Sequence, residues 1–242
     1  MKWIQVLLLA APLVFGQPKL TVLSTNAVKS SVEALLPQAE KAVGRKLAVE
    51  FSSTAALKEK IAAGAAFDVA ILTGDALREL AAQKKIAPGV DVARGGIGVG
   101  VRAGIAKPDI RSGDALKRLL LDAKSITYTV NGASRPFIDA MLQKMGIAAA
   151  VKAKTMLEPP GRAPELVGEG KAEVVLTLMS EILPVKGVQL AGPLPQEFQN
   201  YVVLAAGASP STKEGGAVKA LVDFLRSPAA QQVYRDKGLE PR

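Results

Sequence analysis

A run of hydroxyl side chains lies at the start of a predicted helix in the segment FSSTAALKEKIAAGAAFDVAIL, residues 51–72. Ser53 and Thr54 precede Leu57 and Ile61, whose spacing of four places both apolar side chains on one helix face. A hydroxyl at this position caps a helix by accepting a backbone N–H of the first turn. Free N–H groups and the helix dipole also favour a bound anion there. The segment by itself is compatible with both roles.

A second hydroxyl at a predicted helix start is followed by an arginine. Ser134 precedes Arg135 and Pro136, and proline suits the first turn because its missing N–H has no partner to lose there. If Arg135 faces a ligand, its planar guanidinium matches a carboxylate or phosphate. The alternative is a surface residue that flanks the helix. We predict an anion site at helix starts, in which Arg135 suits an organic acid at least as well as a bare oxyanion.

The composition removes several kinds of chemistry. The 242 residues include no histidine and no cysteine, which excludes serine–histidine and cysteine–histidine catalysis, thiolate sites and disulfides. The commonest metal ligand is also missing, and we expect no metal and no cofactor. Lys58 lies one helical turn after Thr54, so an enzyme that uses lysine or carboxylate chemistry remains the alternative to a protein without catalysis.

The charge of the chain favours anionic ligands without indicating nucleic-acid binding. The formal net charge is +9, but the basic residues are scattered and aromatic residues are 4% of the chain. A nucleic-acid surface would concentrate its basic residues in a stripe with aromatic side chains between them. We therefore predict no nucleic-acid partner, and an excess of positive charge that biases the protein towards small anions.

The first residues have the pattern of an export signal. Lys2 is followed by a mostly apolar segment at residues 4–15 and by the small residue Gly16. We predict a cleaved signal peptide at residues 1–17 and a mature protein in the periplasm. An uncleaved membrane anchor is the alternative.

Strand and helix patterns alternate along the rest of the chain, which indicates an α/β fold with parallel sheets. The first series has strands at residues 20–24, 47–51 and 68–72. A glycine-rich strand, RGGIGVGVRAG at residues 94–104, leads into a second α/β series, and a strand at residues 201–206 leads back. We predict a clamshell of two lobes joined by two crossings. One lobe comprises residues 18–94 plus 201–242, and the other residues 95–200.

Local signals also predict the helix ends. Ser30 and Glu33 have the S-x-x-E spacing of a capping box, and Ser134 is predicted to cap the helix that follows it. Gly44 and Gly64 are predicted to end their helices, because glycine adopts the left-handed conformation without a steric penalty.

Four segments carry a resemblance to a known family. They are LTVLSTNAV at residues 20–28, VEFSSTAALKEKIAAGAAFDVAIL at residues 49–72, MLQKMGI at residues 141–147 and LVDFLRSPAAQQVYRDKGLEP at residues 221–241. On these the chain resembles the periplasmic solute-binding proteins of ABC importers, type II fold, in particular the molybdate-binding branch. The resemblance implies capture of a small anion in the interlobe cleft, delivery to a permease in the inner membrane, a monomeric state and no catalysis.

The resemblance also implies which residues contact the ligand. Hydroxyl groups and backbone N–H groups of two loops in each lobe would hold a molybdate-like or tungstate-like oxyanion, or a small organic acid. The late tyrosine of the family is replaced by Leu178, and its first serine by Ala27. Ligand-sensing regulators share these lobes, but this chain has no room for a helix-turn-helix segment before the first lobe. The predicted ligand-binding residues are Thr25, Asn26, Ala27, Ser53, Thr54, Ala133, Ser134, Arg135 and Leu178.

Overall fold

A computed structural model describes residues 19–242, in which two mixed sheets share one long strand. The strands are β1 (Leu20–Thr25), β2 (Leu47–Ser52), β3 (Val69–Thr73), β4 (Val90–Arg102), β5 (Ile126–Thr129), β6 (Thr155–Glu158), β7 (Val174–Leu178), β8 (Val188–Pro193), β9 (Tyr201–Ala208) and β10 (Leu239–Pro241). The helices are α1 (Lys29–Val43), α2 (Thr54–Ala62), α3 (Gly74–Ala82), α4 (Gly113–Asp122), α5 (Arg135–Lys144), α6 (Ala148–Lys152), α7 (Ala163–Gly168), α8 (Met179–Ile182), α9 (Gly215–Leu225) and α10 (Pro228–Asp236). The predicted signal peptide at residues 1–17 lies outside the described residues.

The first lobe is built on the sheet that contains β1. Strand β1 pairs in parallel with β2 and β3, while β9 runs antiparallel to β3 and β4. Helix α9 packs against α1, where Leu221 and Leu225 lie beside Val32 and Leu35. Burial of such aliphatic side chains stabilises the lobe, at roughly 1.5–3 kcal/mol for each fully buried side chain.

The second lobe is built on the sheet that contains β5. Strand β5 pairs in parallel with β6 and β7, and β4 pairs antiparallel with β7 and β8. Because parallel strands share a direction, the carboxyl ends of β5, β6 and β7 lie at one edge of this sheet. The loops that follow these strands are therefore gathered at that edge.

Strand β4 passes from one sheet to the other at its glycine-rich centre. Its residues up to Gly96 pair with β9, and its residues from Ile97 pair with β7. The side-chain amide of Gln199 forms hydrogen bonds with both backbone groups of Ile97. Its oxygen accepts the Ile97 N–H at 3.1 Å, and its nitrogen donates to the Ile97 carbonyl at 3.0 Å. The second crossing, into β9, lies directly beside this point. The exact lobe boundaries, at residues 94–95 and 200–201, stay predictions.

Two of the predicted helix ends are confirmed and two predicted caps are wrong. Gly44 and Gly64 have φ of 70° and 89°, as left-handed helix ends require. The capping box of Ser30 does not form, because the 3-10 turn Asn26–Val28 leads directly into α1 and moves its start to Lys29. Ser134 stands before α5 but makes no capping hydrogen bond, because its backbone is already helical, with φ −81° and ψ −16°.

Several short elements went unpredicted, namely α6, β6, α8 and β10. Each has three to five residues, too few for an apolar period to be visible in the sequence. None of the helices in residues 19–242 is both long and apolar enough to cross a membrane.

Candidate functional site

The carboxyl ends of β1 in the first sheet and β7 in the second lie close to each other. In the first lobe, β1 ends at Thr25 and is followed by the turn Asn26–Val28. In the second lobe, β7 ends at Leu178 and is followed directly by α8. The Ser180 hydroxyl donates a hydrogen bond of 2.8 Å to the Ala27 carbonyl, and this bond joins residues 153 positions apart in the chain. Ligands of open α/β sheets bind at such edges, so this junction marks the candidate site.

A cavity of about 600 Å³ opens at the junction. We call it the interlobe cavity. Its walls come from the starts of α1 and α8, from the end of β2, and from the segment that leads into α7. The lining residues are Asn26, Lys29, Ser30, Glu33, Phe51, Pro160, Gly161, Pro164, Glu165, Ser180, Glu181, Pro184, Val185 and Lys186.

The start of α1 contributes polar groups from the first lobe to this cavity. Asn26 approaches the second lobe, since a Cβ built on Gly161 would lie 3.5 Å from its side-chain nitrogen. The Ser30 hydroxyl is shielded from solvent and has no hydrogen-bond partner within residues 19–242. Its neighbour Lys29 is exposed, lies 3.9 Å from Glu33, and stands 5.8 Å from the centre of the Phe51 ring. The first lobe therefore offers an amide, a free hydroxyl and a cation.

Two carboxyl groups line the same cavity from the second lobe. Glu181, on α8, accepts hydrogen bonds from the Thr177 hydroxyl and from the Leu178 backbone N–H. Burial raises the pKa of the Glu181 carboxyl above its ordinary value of 4.5, the two hydrogen bonds oppose this rise, and the negative charge of Glu165 adds to it. Glu165, on α7, has an Oε2 atom that is shielded from solvent and has no partner among the described residues.

The predicted hydroxyl loop of the first lobe stands at the start of α2. Ser53 is buried and its hydroxyl accepts the Ala56 N–H at 3.1 Å, so it acts as the helix cap. The Thr54 hydroxyl is shielded and lacks a partner in residues 19–242. Thr25 and Ala27 are also buried, at 3% and 2% exposure, in the first loop. Of these predicted residues, Ala27 is joined to the second lobe by its bond with Ser180.

The predicted residues of the second lobe lie in two places. Leu178 is 1% exposed in the core, and its backbone N–H contacts Glu181 as described above. Ser134 is buried at 3% exposure, and Ala133 precedes it in the loop after β5. The ligand-binding roles of these residues stay predictions, because they rest on the resemblance alone.

Arg135 contacts groups of its own lobe in this conformation. Its Nε donates to Asp139, one turn further along α5, at 2.7 Å, and its guanidinium lies 5.0 Å from the centre of the Tyr128 ring. These residues line a separate hollow of about 370 Å³. Arg162 likewise forms a bidentate pair with Glu169, at 2.6 and 2.9 Å. The structure thus does not bring Arg135 to the interlobe cavity, and its contact with a ligand stays a prediction.

Sequence reasoning missed Ser180, Glu165 and Glu181, three polar residues of the interlobe cavity. All three lie on the short helices α7 and α8, and α8 was not predicted at all. A glutamate near a helix start is common, because negative charge is favoured there. Only the fold brings Glu165 and Glu181 together with the start of α1. In residues 19–242 no group of three or more acidic residues is arranged to hold a metal ion.

Comparison with known proteins agrees with this geometry. The model of the family described as bacterial extracellular solute-binding protein matches residues 20–240. The chain belongs to this family. As a member of the extracellular solute-binding family, it is a solute-binding protein, and the predicted resemblance to type II proteins of the molybdate-binding branch is confirmed.

Individual relatives differ in what their names say they bind or do. The chain is 29% identical over 245 residues to an aconitate isomerase of Pseudomonas sp., covering 97% of this chain and 93% of the relative. The periplasmic molybdate-binding protein of Azotobacter vinelandii has the same fold, with a TM-score of 0.76, 17% identity, and coverage of 91% and 98%. PEB3 of Campylobacter jejuni, solved with L-phospholactate, has a TM-score of 0.68, 15% identity, and coverage of 93% and 100%. The predicted fold class, a two-lobed α/β clamshell, is confirmed.

Proposed function

We propose that this solute-binding protein captures a small anion in the interlobe cavity and delivers it, chemically unchanged, to an ABC permease. The observation that carries the proposal is the Ser180–Ala27 hydrogen bond, which joins the two lobes beside a cavity lined by both. The extracellular family description supports a location outside the cytoplasm, which we take to be the periplasm after removal of residues 1–17.

We infer that the ligand is a small organic acid with more than one acidic group. About 600 Å³ falls in the range of small-molecule sites, roughly 300–1,000 Å³, and exceeds what a bare tetrahedral oxyanion fills. Lys29 and Lys186 line the cavity together with Glu33, Glu165 and Glu181. Fixed carboxylates repel a compact dianion, whereas a longer acid can direct its carboxylates towards the lysines and its neutral carbon atoms towards the glutamates. Phospholactate and aconitate, named for two relatives, are acids of this kind.

The experiment is a binding panel on the mature protein. Thermal shift and calorimetry would compare citrate, trans-aconitate, cis-aconitate and phospholactate with molybdate, tungstate, sulfate and phosphate. A ligand at about 100 times its Kd adds ~2.7 kcal/mol to the free energy of unfolding, which the thermal shift detects. We expect stabilisation by at least one organic acid. Stabilisation by molybdate or tungstate alone would refute the organic-acid assignment and retain the oxyanion function predicted from the resemblance.

The interlobe cavity is tested separately from the ligand class. Asn26→Leu removes an amide that lines the cavity, while Gln232→Leu removes an exposed amide of α10 that does not line it and bonds Asp236 on the same helix. We expect only Asn26→Leu to weaken the binding of the acid found in the panel. Equal affinities of the two variants would move the ligand site elsewhere.

An enzyme on the same scaffold is the second candidate function. The paired carboxyl groups of Glu165 and Glu181 in the cavity favour it, as does the relative named aconitate isomerase. Carboxylate chemistry needs neither histidine nor cysteine, so the composition is compatible with it.

A further inference from the structure

Glu165 is placed in the interlobe cavity by a well-buried helix. Helix α7 starts with Ala163, which is fully buried, contacts β5 and β7, and buries Leu166 and Val167. These contacts hold the helix against the second sheet. The Glu165 side chain lines the cavity, and its Oε2 atom has neither solvent nor a hydrogen-bond donor in residues 19–242. The helix therefore fixes the backbone from which the Glu165 side chain enters the cavity, and one carboxyl oxygen is shielded without a partner.

The two glutamates that the second lobe contributes to the cavity are in different environments. Glu181 is tied to Thr177 and to the backbone of Leu178, whereas Glu165 Oε2 is tied to nothing among the described residues. When two carboxyl groups share a site, unequal environments separate their roles, one as the proton-transferring group and one as a fixed neighbour. Glu165 has the free oxygen, so it is the candidate for the proton-transferring group.

An unpaired carboxylate has no advantage in a site that only binds anions. It repels the ligand, and it loses solvation without gaining a partner. It has a clear use if the ligand carries an acidic C–H bond, because a shielded carboxylate close to a carbon can accept its proton. Lys29, Lys186 and the Ser30 hydroxyl line the same cavity and would stabilise the negative charge that then develops on the ligand carboxylate.

We propose that Glu165 is a catalytic residue that moves a proton between two carbons of an unsaturated carboxylic acid bound in the interlobe cavity. This inference rests on the proposed function, the binding of an organic acid. Glu165 removes a proton from a methylene carbon next to both a carboxylate and a carbon–carbon double bond. The electron pair of the broken C–H bond forms the new double bond, and the electron pair of the old one takes a proton back from the Glu165 carboxyl at its far carbon. In deuterated water the carboxyl proton exchanges with solvent between the two transfers, so the far carbon receives deuterium. Product and substrate have the same formula, so the reaction requires no oxidant, reductant or co-reactant.

The test uses trans-aconitate as the probe, in deuterated water, with the mature protein, residues 18–242. Proton NMR measures both the loss of the methylene and vinyl signals by exchange and the appearance of the cis isomer, while calorimetry measures binding in the same samples. We expect the wild-type protein to catalyse both. Glu165→Gln should lower the exchange rate by about 10²–10⁴-fold, with Kd changed by no more than about threefold. Glu165→Asp keeps the carboxyl group but shortens the side chain by one carbon, and should give an intermediate exchange rate.

A matched control lies at the other end of the same helix. Glu169 follows α7 and pairs with Arg162 and Lys171 outside the cavity, so Glu169→Gln should keep the wild-type exchange rate. Binding of trans-aconitate with neither deuterium incorporation nor formation of the cis isomer would overturn the catalytic role while leaving the binding function intact. If no organic acid binds, the proposed ligand class fails and the catalytic role fails with it. Undiminished exchange in Glu165→Gln, with normal binding, would assign the proton transfer to another group.

Discussion

The hydrogen bond between Ser180 and Ala27 should contribute directly to ligand affinity. Ser180 is 3% exposed and its hydroxyl reaches across the junction at 2.8 Å. Ser180→Ala removes one buried neutral hydrogen bond, a loss of about 1 kcal/mol. Because the bond joins the two lobes, we expect it to break when the lobes separate, so that its loss disfavours the joined form that binds the ligand. Since about 1.4 kcal/mol corresponds to a factor of ten, we expect the ligand Kd to rise roughly fivefold.

The assay is calorimetry with the acid identified in the binding panel, and Ser112→Ala is the matched control. The Ser112 hydroxyl caps α4 by accepting the Ala115 N–H at 3.2 Å, on the second lobe alone. Loss of this cap costs about 1 kcal/mol of folding stability, which urea unfolding measures, and should leave Kd unchanged. An unchanged Kd in Ser180→Ala, or an equal rise in both variants, would show that the Ser180 bond does not couple the lobes to the ligand.

Three further predictions concern stability. A Cβ on Gly98 would lie 2.6 Å from Met179 Cγ, so Gly98→Ala should destabilise the protein by about 1–3 kcal/mol. Gly215 has open space around it, so Gly215→Ala is the control and should not destabilise the protein. Equal urea midpoints of the two variants would contradict the close packing at Gly98. Burial raises the pKa of Glu181, so the folded state binds its proton more tightly than the unfolded state, and wild-type stability falls as pH rises from 4.5 through the folded pKa. Glu181→Gln should therefore gain stability relative to the wild type as the pH rises from 4.5 through the folded-state pKa of Glu181, and a pH-independent difference in urea unfolding would refute this. Arg135→Ala should cost up to about 1 kcal/mol of stability, because it removes the ion pair with Asp139 on its own lobe. A tenfold loss of affinity in the same variant would support the predicted contact of Arg135 with the ligand, and an unchanged Kd would refute that contact.

The regular part of the fold follows from local patterns in the sequence. Apolar runs of strand length alternate with helix periodicity, and this alternation is sufficient for the α/β class and for parallel pairing. The left-handed ends at Gly44 and Gly64 follow in the same way, because glycine adopts that conformation without steric cost. The failed capping box of Ser30 shows the limit of local rules, since a preceding 3-10 turn already supplies the helix start.

Little of the candidate site was visible in the sequence. Of the predicted ligand-binding residues, Asn26 lines the interlobe cavity, whereas Ser53 and Thr54 do not, and their ligand contact stays a prediction based on the signature of a helix start. Glu165 and Glu181 carry no such signature, and two carboxyl groups on separate helices gain a shared cavity only when those helices dock. The sequence also could not show which partner the Arg135 side chain contacts. Asp139, one turn away on the same helix, competes with a ligand across the cleft.

The sequence by itself determined the excluded chemistry, the α/β class and the membership of the solute-binding family, because composition, periodicity and family motifs are local properties of the chain. Tertiary structure alone decided which strand serves both sheets and which residues of the two lobes meet. The Ser180–Ala27 bond and the carboxyl-lined cavity depend on contacts between residues far apart in the chain, which exist only after both sheets have formed and the carboxyl ends of β1 and β7 lie close to each other.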